Sequence, residues 1–175
     1  MTRFVHRITL SLYSIIVLFA ICSLIYIGLS YYRLPPLLSI MSLKEDILKV
    51  MGGEHVAAIA TVQEGKPAVR FMALVGLGDL SLVGATMKDT RKVEQIKKNP
   101  EVALSIWSGK NYADPYVTIL GKALVHDDLE TKKKFWDPKL EQYFKTPENP
   151  DYVVITFAPQ RIEYYHGMTM DVWQG

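Results

Sequence analysis

The residues best suited to chemistry in this sequence are basic and hydroxyl side chains that could bind a phosphate group. A strand pattern ends at Thr86, and a polar helix pattern begins near Thr90, followed at once by Arg91 and Lys92. The first N–H groups of a helix have no partners within it, and the positive end of its dipole favours an anion. Arg70, on an earlier strand pattern, would add a fork of donors. Together these residues offer a phosphate site.

A structural interpretation fits the same residues. Arg91 and Lys92 open a helix that also carries Glu94, Lys97 and Lys98, and such a charged face usually lies in solvent. Arg70 lies among apolar neighbours and would equally point outward from a half-buried strand. From spacing alone, this structural interpretation is favoured over a binding site.

The elements that would position these residues are mainly strands. Ser42 and Glu45 form a capping-box pattern at the start of a short helix, which Gly52-Gly53 would end. Helices are predicted at 42–51, 90–98, 129–136 and 139–144, and strands at 56–62, 68–75, 80–86, 102–107, 116–126, 152–157 and 161–165. Many short strands with a few inserted helices predict a mainly β fold, a small barrel or sandwich, and disfavour a βαβ sheet.

Five short motifs in order give the sequence a family resemblance. They are Ala60-Thr61 with Gly65, Pro67 and Arg70; Ala85-Thr86 with Thr90 to Val93; Asn99-Pro100 with Val102; Gly121 with Ala123; and Pro159 with Ile162 to Tyr165. From about residue 43 to 167, this set resembles the pyridoxamine 5′-phosphate oxidase-like family of FMN-binding split barrels. The resemblance implies that Arg70, Thr86, Arg91 and Lys92 hold the FMN phosphate, helped by Thr90.

The resemblance also implies contacts with the flavin ring. Phe71 and Met72 follow Arg70 where the family's strand faces the ring, and Tyr116 and Tyr165 match a glutamine and a tryptophan of the oxidases. Trp107 would either border the flavin or cover the core. The family implies a homodimer with the flavin at the subunit interface, so that Trp107 and Tyr165 would act on the partner's flavin.

Two departures separate this chain from the true oxidases. Val75 stands where they have a lysine, and the segment from Gly167 to Gly175 lacks the arginine–histidine pair that binds the vitamin B6 phosphate in the oxidases. The shorter tail and motifs such as Phe135-Trp136 resemble the general stress protein 26 branch of the family. The expected function is an FMN-dependent oxidoreductase acting on an unidentified small substrate, with pyridoxamine phosphate oxidation not expected. The alternatives are a flavin-binding stress protein without turnover, or a binder of deazaflavin or haem.

Composition argues against several other functions. All 18 acidic residues lie after residue 40, where the charges nearly balance, so the basic face that nucleic-acid binding requires is not expected. No metal site is expected, since the histidines lack ligand spacing and Cys22 is the only cysteine. The sequence contains no G-x-S-x-G motif, so a hydrolase is not indicated.

The first 40 residues differ in character from the rest. Ile8 to Ser30 carries no charge and exceeds the roughly 20 residues that span a bilayer, so residues 1–40 would be a transmembrane anchor. Equally, they would be an upstream extension preceding a protein that starts at Met41. The first alternative predicts a membrane-anchored protein and the second a cytoplasmic one, and in both the flavin domain spans residues 41–175.

Overall fold

The computed structural model describes residues 36–107, 109–111 and 113–175. Residues 42–175 form one compact unit. The apolar segment from Ile8 to Ser30 lies outside the described residues, so the anchor and the boundary near residue 40 remain predictions. Within the part of the chain that is described, no helix is both long and apolar enough to cross a membrane.

Seven antiparallel strands form one sheet that closes on itself. They are β1 (Gly53–Gln63), β2 (Lys66–Gly76), β3 (Leu82–Met87), β4 (Glu101–Trp107), β5 (Tyr116–His126), β6 (Tyr152–His166) and β7 (Thr169–Gln174). Their order is β3-β2-β1-β4-β5-β6-β7, and β3 also pairs with β6. The β2–β3 pairing is short, covering Val75 and Gly76. The prediction of a mainly β split barrel is confirmed.

Short helices join the strands. They are α1 (Pro36–Met51), α2 (Arg91–Lys98), α3 (Leu129–Lys134), a 3-10 turn (Pro138–Leu140) and α4 (Glu141–Phe144). The capping box at Ser42 is wrong, because α1 begins earlier, at Pro36, and Ser42 lies inside it. Proline suits the first helical position, where its missing N–H has no partner to lose. The end of α1 at Met51, before Gly52-Gly53, is confirmed.

The last two strands of the chain also differ from prediction. A single strand, β6, replaces the two strands predicted at 152–157 and 161–165. It runs through Pro159 because the pairing with β5 shifts register between Leu120 and Gly121. β7 was not predicted, and it pairs with β6 after a turn at Gly167, whose φ is 59°.

Two apolar clusters hold the domain together. The larger fills the barrel and includes residues of α1 and α2, among them Ile47, Met51, Ile59, Leu74, Val93, Ile96, Ile119, Ile155 and Phe157. The smaller lies where the segment after α3 covers β3 and β6, and it contains Val83, Phe144, Tyr152 and Val154. The first cluster therefore anchors α2 against the barrel, and the second holds the segment from α3 to α4 beside β3.

Candidate functional site

The strand β3 and the helix α2 are joined by a turn that brings basic residues to the barrel. Thr90 precedes α2 in an extended conformation, with φ −75° and ψ 146°. Its hydroxyl donates to the Met87 carbonyl at 2.9 Å and makes no capping bond to the first turn of α2. The Thr90 side chain therefore leaves the N–H groups of Arg91 and Lys92 available to a ligand, whereas the Val93 N–H donates to the Thr90 carbonyl at 3.0 Å.

Arg70 is held in place by neutral groups. Its Nη1 donates to Thr61 Oγ1 at 2.6 Å, and its Nη2 donates to Gln95 Oε1 at 2.7 Å. Thr61 and Gln95 are both buried, and the Thr61 hydroxyl also donates to Gln95 Oε1 at 2.6 Å. Gln95 in turn donates to Gln63 Oε1 at 2.6 Å. This network orients the guanidinium without neutralising its charge.

Lys92 completes the basic group from the other side. Its Nζ donates to Thr86 Oγ1 at 2.8 Å, and Thr86 is buried at the end of β3. Burial lowers the pKa of Lys92, and the nearby charge of Arg70 lowers it further. Burial likewise lowers the pKa of Arg70, with the charge of Arg91 adding to the effect. The charge of Arg70 is therefore coupled to those of Arg91 and Lys92, and we call these three the cationic cluster.

The cationic cluster lacks a carboxylate partner within the part of the chain that the structure describes. Among the described residues, none of the ion pairs involves Arg70, Arg91 or Lys92. Arg70 and Lys92 are partly buried and held by neutral hydrogen-bond partners, and the charge of Arg91 adds to theirs, so a bound anion would relieve unfavourable electrostatic energy. A solvated helix face does not describe Lys92, whereas Arg91 is exposed.

Phe71 and Met72 lie on opposite faces of β2, since side chains alternate along a strand. Phe71 is 75% exposed, whereas Met72 is buried in the barrel. Only Phe71 therefore offers its side chain at the surface of the sheet.

The three remaining predicted ring contacts form a row across neighbouring strands. Trp107 pairs with Tyr116, and Tyr116 pairs with Tyr165. The two tyrosine rings stack with centroids 4.6 Å apart at an interplanar angle of 4°. The Tyr165 hydroxyl donates to Glu163 Oε2 at 2.9 Å, which raises the pKa of Tyr165. No hydrogen bond or aromatic contact within the described ranges joins this row to the cationic cluster of the same chain.

An open cavity of about 760 Å³ lies between β2, β3 and the segment from Phe135 to Phe144. Thr86, which accepts from Lys92, is among the residues that line it, whereas Arg70, Arg91 and Lys92 are not. Val75 lines it as well. Small-molecule sites usually measure about 300–1,000 Å³, so the cavity has the size of a ligand pocket.

Sequence reasoning missed Gln95 and Tyr152 as site residues. Gln95 is buried on the side of α2 that faces the barrel, between exposed Glu94 and buried Ile96. An uncharged polar residue at an inward position of a highly charged helix was the available signal. Tyr152, which lines the cavity, stands at the start of β6 with no local signal of its position.

Comparison with known proteins agrees with this fold. The family model described as Pyridoxamine 5'-phosphate oxidase matches residues 43–166. The chain belongs to this family. Among its curated relatives, this pyridoxamine 5′-phosphate oxidase-family protein is similar to General stress protein 26 of Bacillus subtilis (strain 168), at 35% identity over 121 residues, covering 69% of the chain and 86% of the relative. The resemblance to the general stress protein 26 branch is thereby confirmed.

Solved structures place the same fold in several proteins. General Stress Protein 26 from Bacillus anthracis str. Sterne matches this family member with a TM-score of 0.65 and 29% identity, over 76% of the chain and 98% of the other protein. A heme binding protein from Mycobacterium smegmatis has a TM-score of 0.62 at 19% identity, over 75% of this chain and 57% of its own. An F420 reductase has a TM-score of 0.52 at 23% identity, over 66% and 94% respectively. These last two show likeness of fold only.

Proposed function

We propose that the chain is an FMN-binding oxidoreductase acting on a small substrate, with the cationic cluster as its phosphate site. The observation that carries this proposal is that Arg70, Arg91 and Lys92 have no ion-pair partner among the described residues while neutral Thr61 and Gln95 orient the guanidinium. Two of the three charges are partly buried, and burying an uncompensated charge is costly. A phosphate dianion would relieve that cost.

The residues present suit FMN. Arg70 and Lys92 would hold the phosphate through charged donors, and Thr86 and Thr90 would add hydroxyls beside the start of α2. FMN supplies hydride or electron transfer when bound. The protein therefore needs to bind and orient the cofactor and the substrate and to shield them from water, and it needs no acid or base of its own. Val75, an uncharged residue in the cavity, fits a substrate other than a phosphorylated vitamin.

The strand β7 supports the same limit on the substrate. Residues after Gly167 form β7, which pairs with β6 from Thr169 to Gln174. This segment therefore forms a strand of the sheet, and it does not contain the arginine–histidine pair that the resemblance would require there. We propose that pyridoxamine 5′-phosphate oxidation is not the activity.

A homodimer would complete the ring site. One face of the sheet carries exposed apolar side chains, with Phe71 75% exposed and Val56 and Val69 each 69% exposed. The strand registers place Trp107 on this same face, since Ala58 pairs with Phe71 and with Ser105. Exposed apolar patches of this kind mark protein interfaces. A second copy covering this face would bring its Trp107 and Tyr165 toward the flavin of the first.

The competing candidate is a flavin-binding stress protein without turnover. The named relatives of the general stress protein 26 branch favour it, because their names give a stress role and no reaction. Haem and deazaflavin remain alternative cofactors, since proteins of the same fold are named for haem and F420.

An absorption spectrum and the mass of the co-purifying ligand test the cofactor. The expected result is oxidised FMN, and a haem or deazaflavin spectrum would contradict it. Reduction of the bound flavin by NADH or NADPH, with turnover of an added electron acceptor, would support an enzyme. Tight FMN binding without any such turnover would favour the stress-protein alternative.

A further inference from the structure

The turn between β3 and α2 carries a fourth basic residue, Lys88, which is not part of the cationic cluster. Its Nζ forms an ion pair with the carboxylate of Asp127, the residue that directly follows β5. Its backbone N–H donates to the Asp151 carbonyl at 2.7 Å. Lys88 therefore ties the turn to two other segments of the chain, to one by its side chain and to the other by its backbone.

Asp127 has a second partner, the buried Lys132 of α3. The Lys132 Nζ lies 2.8 Å from Asp127 Oδ1, and Lys132 is only 4% exposed. Hydrogen bonds from Lys132 and then from Lys88 lower the pKa of Asp127, so its carboxylate is ionised at neutral pH. A buried ammonium needs a compensating charge, which holds Asp127 on the Lys132 side. The carboxylate thus joins α3 to the turn before α2.

The contacts around Asp127 close into a ring through the loop before β6. The Lys132 Nζ also donates to the Asn149 carbonyl at 3.4 Å. The Asn149 side chain accepts from the Asp151 N–H at 2.8 Å, and the Asp151 carbonyl accepts from the Lys88 N–H. The ring therefore begins and ends at Lys88, and Asp127 is the member that binds its side chain.

The turn that carries Lys88 leads directly into the proposed phosphate site. Two residues later, Thr90 precedes α2, whose first N–H groups are available to a ligand. The rest of α2 is anchored to the barrel by buried Val93 and Ile96, so the helix does not depend on the turn in order to form. The direction of its first N–H groups does depend on the turn, because they continue its backbone. An anion bound there is therefore sensitive to how firmly the turn is held.

We propose that Asp127 is a positioning residue for the phosphate site. By binding Lys88, it holds the turn before α2 and so directs the first N–H groups of the helix toward the phosphate. Asp127 acts through Lys88 and does not itself contact the ligand, and Lys132 keeps Asp127 in place. This inference rests on the proposed function, which assigns the phosphate to FMN.

Two variants that release the turn test the proposal, with the affinities for FMN and riboflavin measured by quenching of flavin fluorescence. Lys88→Met removes the side chain that Asp127 binds. Asp127→Asn combined with Lys132→Met removes the carboxylate together with the buried ammonium, so the net charge of the protein is unchanged. Each variant should weaken FMN binding about three- to tenfold, as expected for the loss of one ion pair, and leave the binding of riboflavin, which has no phosphate, unchanged.

The double variant separates positioning from simple attraction between charges. It leaves Lys88 charged but removes the carboxylate that Lys88 binds, so attraction alone would make FMN bind more tightly than it binds to the native protein. Positioning predicts weaker binding. Lys88→Met leaves the pair of Asp127 and Lys132 intact, so it still tests the proposal if the double variant does not fold.

Lys133→Met and Lys88→Arg are the controls. Lys133 is an exposed lysine of α3 that forms an ion pair with Glu148, away from the turn. Lys88→Arg keeps a cation that can pair with Asp127. Both controls should bind FMN as the native protein does.

The preference for FMN over riboflavin distinguishes failure of this inference from failure of the phosphate site. Unchanged or tighter FMN binding by the double variant, or an equal loss of FMN and riboflavin binding in both variants, would overturn the role of Asp127. A preference that Arg70→Ala with Lys92→Ala abolishes, but that both turn variants keep, would overturn this inference alone. A native protein with no preference for FMN over riboflavin would overturn the phosphate site and this inference with it.

Discussion

Arg70 donates to Gln95 across the gap between β2 and α2, with 2.7 Å between Nη2 and Oε1. The acceptor is a buried amide, although a carboxylate would pair more strongly with a guanidinium. The choice of a neutral partner keeps the positive charge of Arg70 available to an anion while fixing its direction.

Replacing the neutral partner by a charged one should weaken FMN binding. Gln95→Glu keeps the shape of the side chain and its contact with Arg70, loses the donor to Gln63, and places a carboxylate that compensates the guanidinium charge. FMN affinity, measured by quenching of flavin fluorescence, is expected to fall about ten- to a hundredfold, the equivalent of about 1.5–3 kcal/mol for a charged hydrogen bond. Glu94→Gln, on the exposed side of the same helix, is the control and should leave affinity unchanged. Undiminished FMN binding by Gln95→Glu would argue against the phosphate site.

Removing two members of the cationic cluster should affect FMN far more than riboflavin. Riboflavin has the same ring but no phosphate. Arg70→Ala combined with Lys92→Ala should therefore abolish most of the preference for FMN over riboflavin, since each charged hydrogen bond to phosphate is worth about 1.5–3 kcal/mol. Lys98→Ala, which removes an exposed lysine paired with Glu94, provides the comparison. An FMN preference that survives the double substitution would place the phosphate elsewhere.

As pH rises, FMN affinity should begin to fall at a lower pH than it would if the phosphate were bound by a lysine of ordinary pKa. Burial and the charge of Arg70 lower the pKa of Lys92, so its ammonium is lost below the usual value near 10.5. As pH rises through that lowered pKa, the phosphate loses one cation and FMN affinity should fall. Lys92→Arg retains its charge to higher pH and should flatten the profile. Identical profiles for the native protein and Lys92→Arg would show that Lys92 does not bind the phosphate.

A charge placed on the exposed apolar face should separate the subunits. Phe71→Glu would bury a carboxylate in the proposed interface, where it has no partner. Light scattering should report a dimer for the native protein and a monomer for this variant. Met168→Glu alters a side chain that is 96% exposed in the β6–β7 turn and should remain dimeric. If the native protein is monomeric at micromolar concentration, the proposed interface is wrong.

The β5–β6 register shift should depend on the absence of a side chain at Gly121. A Cβ there would lie 2.2 Å from the carbonyl oxygen of Ala158, which is backbone and cannot simply turn away. Gly121→Ala should lower the free energy of unfolding by about 1–3 kcal/mol, as overpacking does, measured in urea. Gly78→Ala meets nothing within 4 Å and should be close to neutral. Equal stability of the two variants would contradict this account of the bulge.

Local patterns were sufficient to predict most of the elements of this domain. The residues around Thr86 and Lys92 encode their own strand, turn and helix, because each depends on neighbours a few positions away. The predicted strand boundaries were wrong where pairing with a strand distant in sequence determines how far a strand extends. β6 continues through Pro159 because β5 accommodates it at Gly121, and β7 exists because β6 offers it an edge. Neither condition is visible in a short window of sequence.

The proposed binding residues divide in the same way. Residue types and a family resemblance predicted Arg70, Thr86, Arg91 and Lys92, since the basic side chains and the start of the helix depend on local sequence. Only the tertiary structure revealed that Gln95, distant in sequence from Arg70, is the neutral acceptor that orients its guanidinium, and that the buried Tyr152 hydroxyl has no hydrogen-bond partner among the described residues. The physical reason is that compensation of a charge and satisfaction of a hydrogen bond depend on which groups the fold brings within about 3 Å of each other. The number of residues between two positions does not determine the distance between their side chains when they lie on different elements.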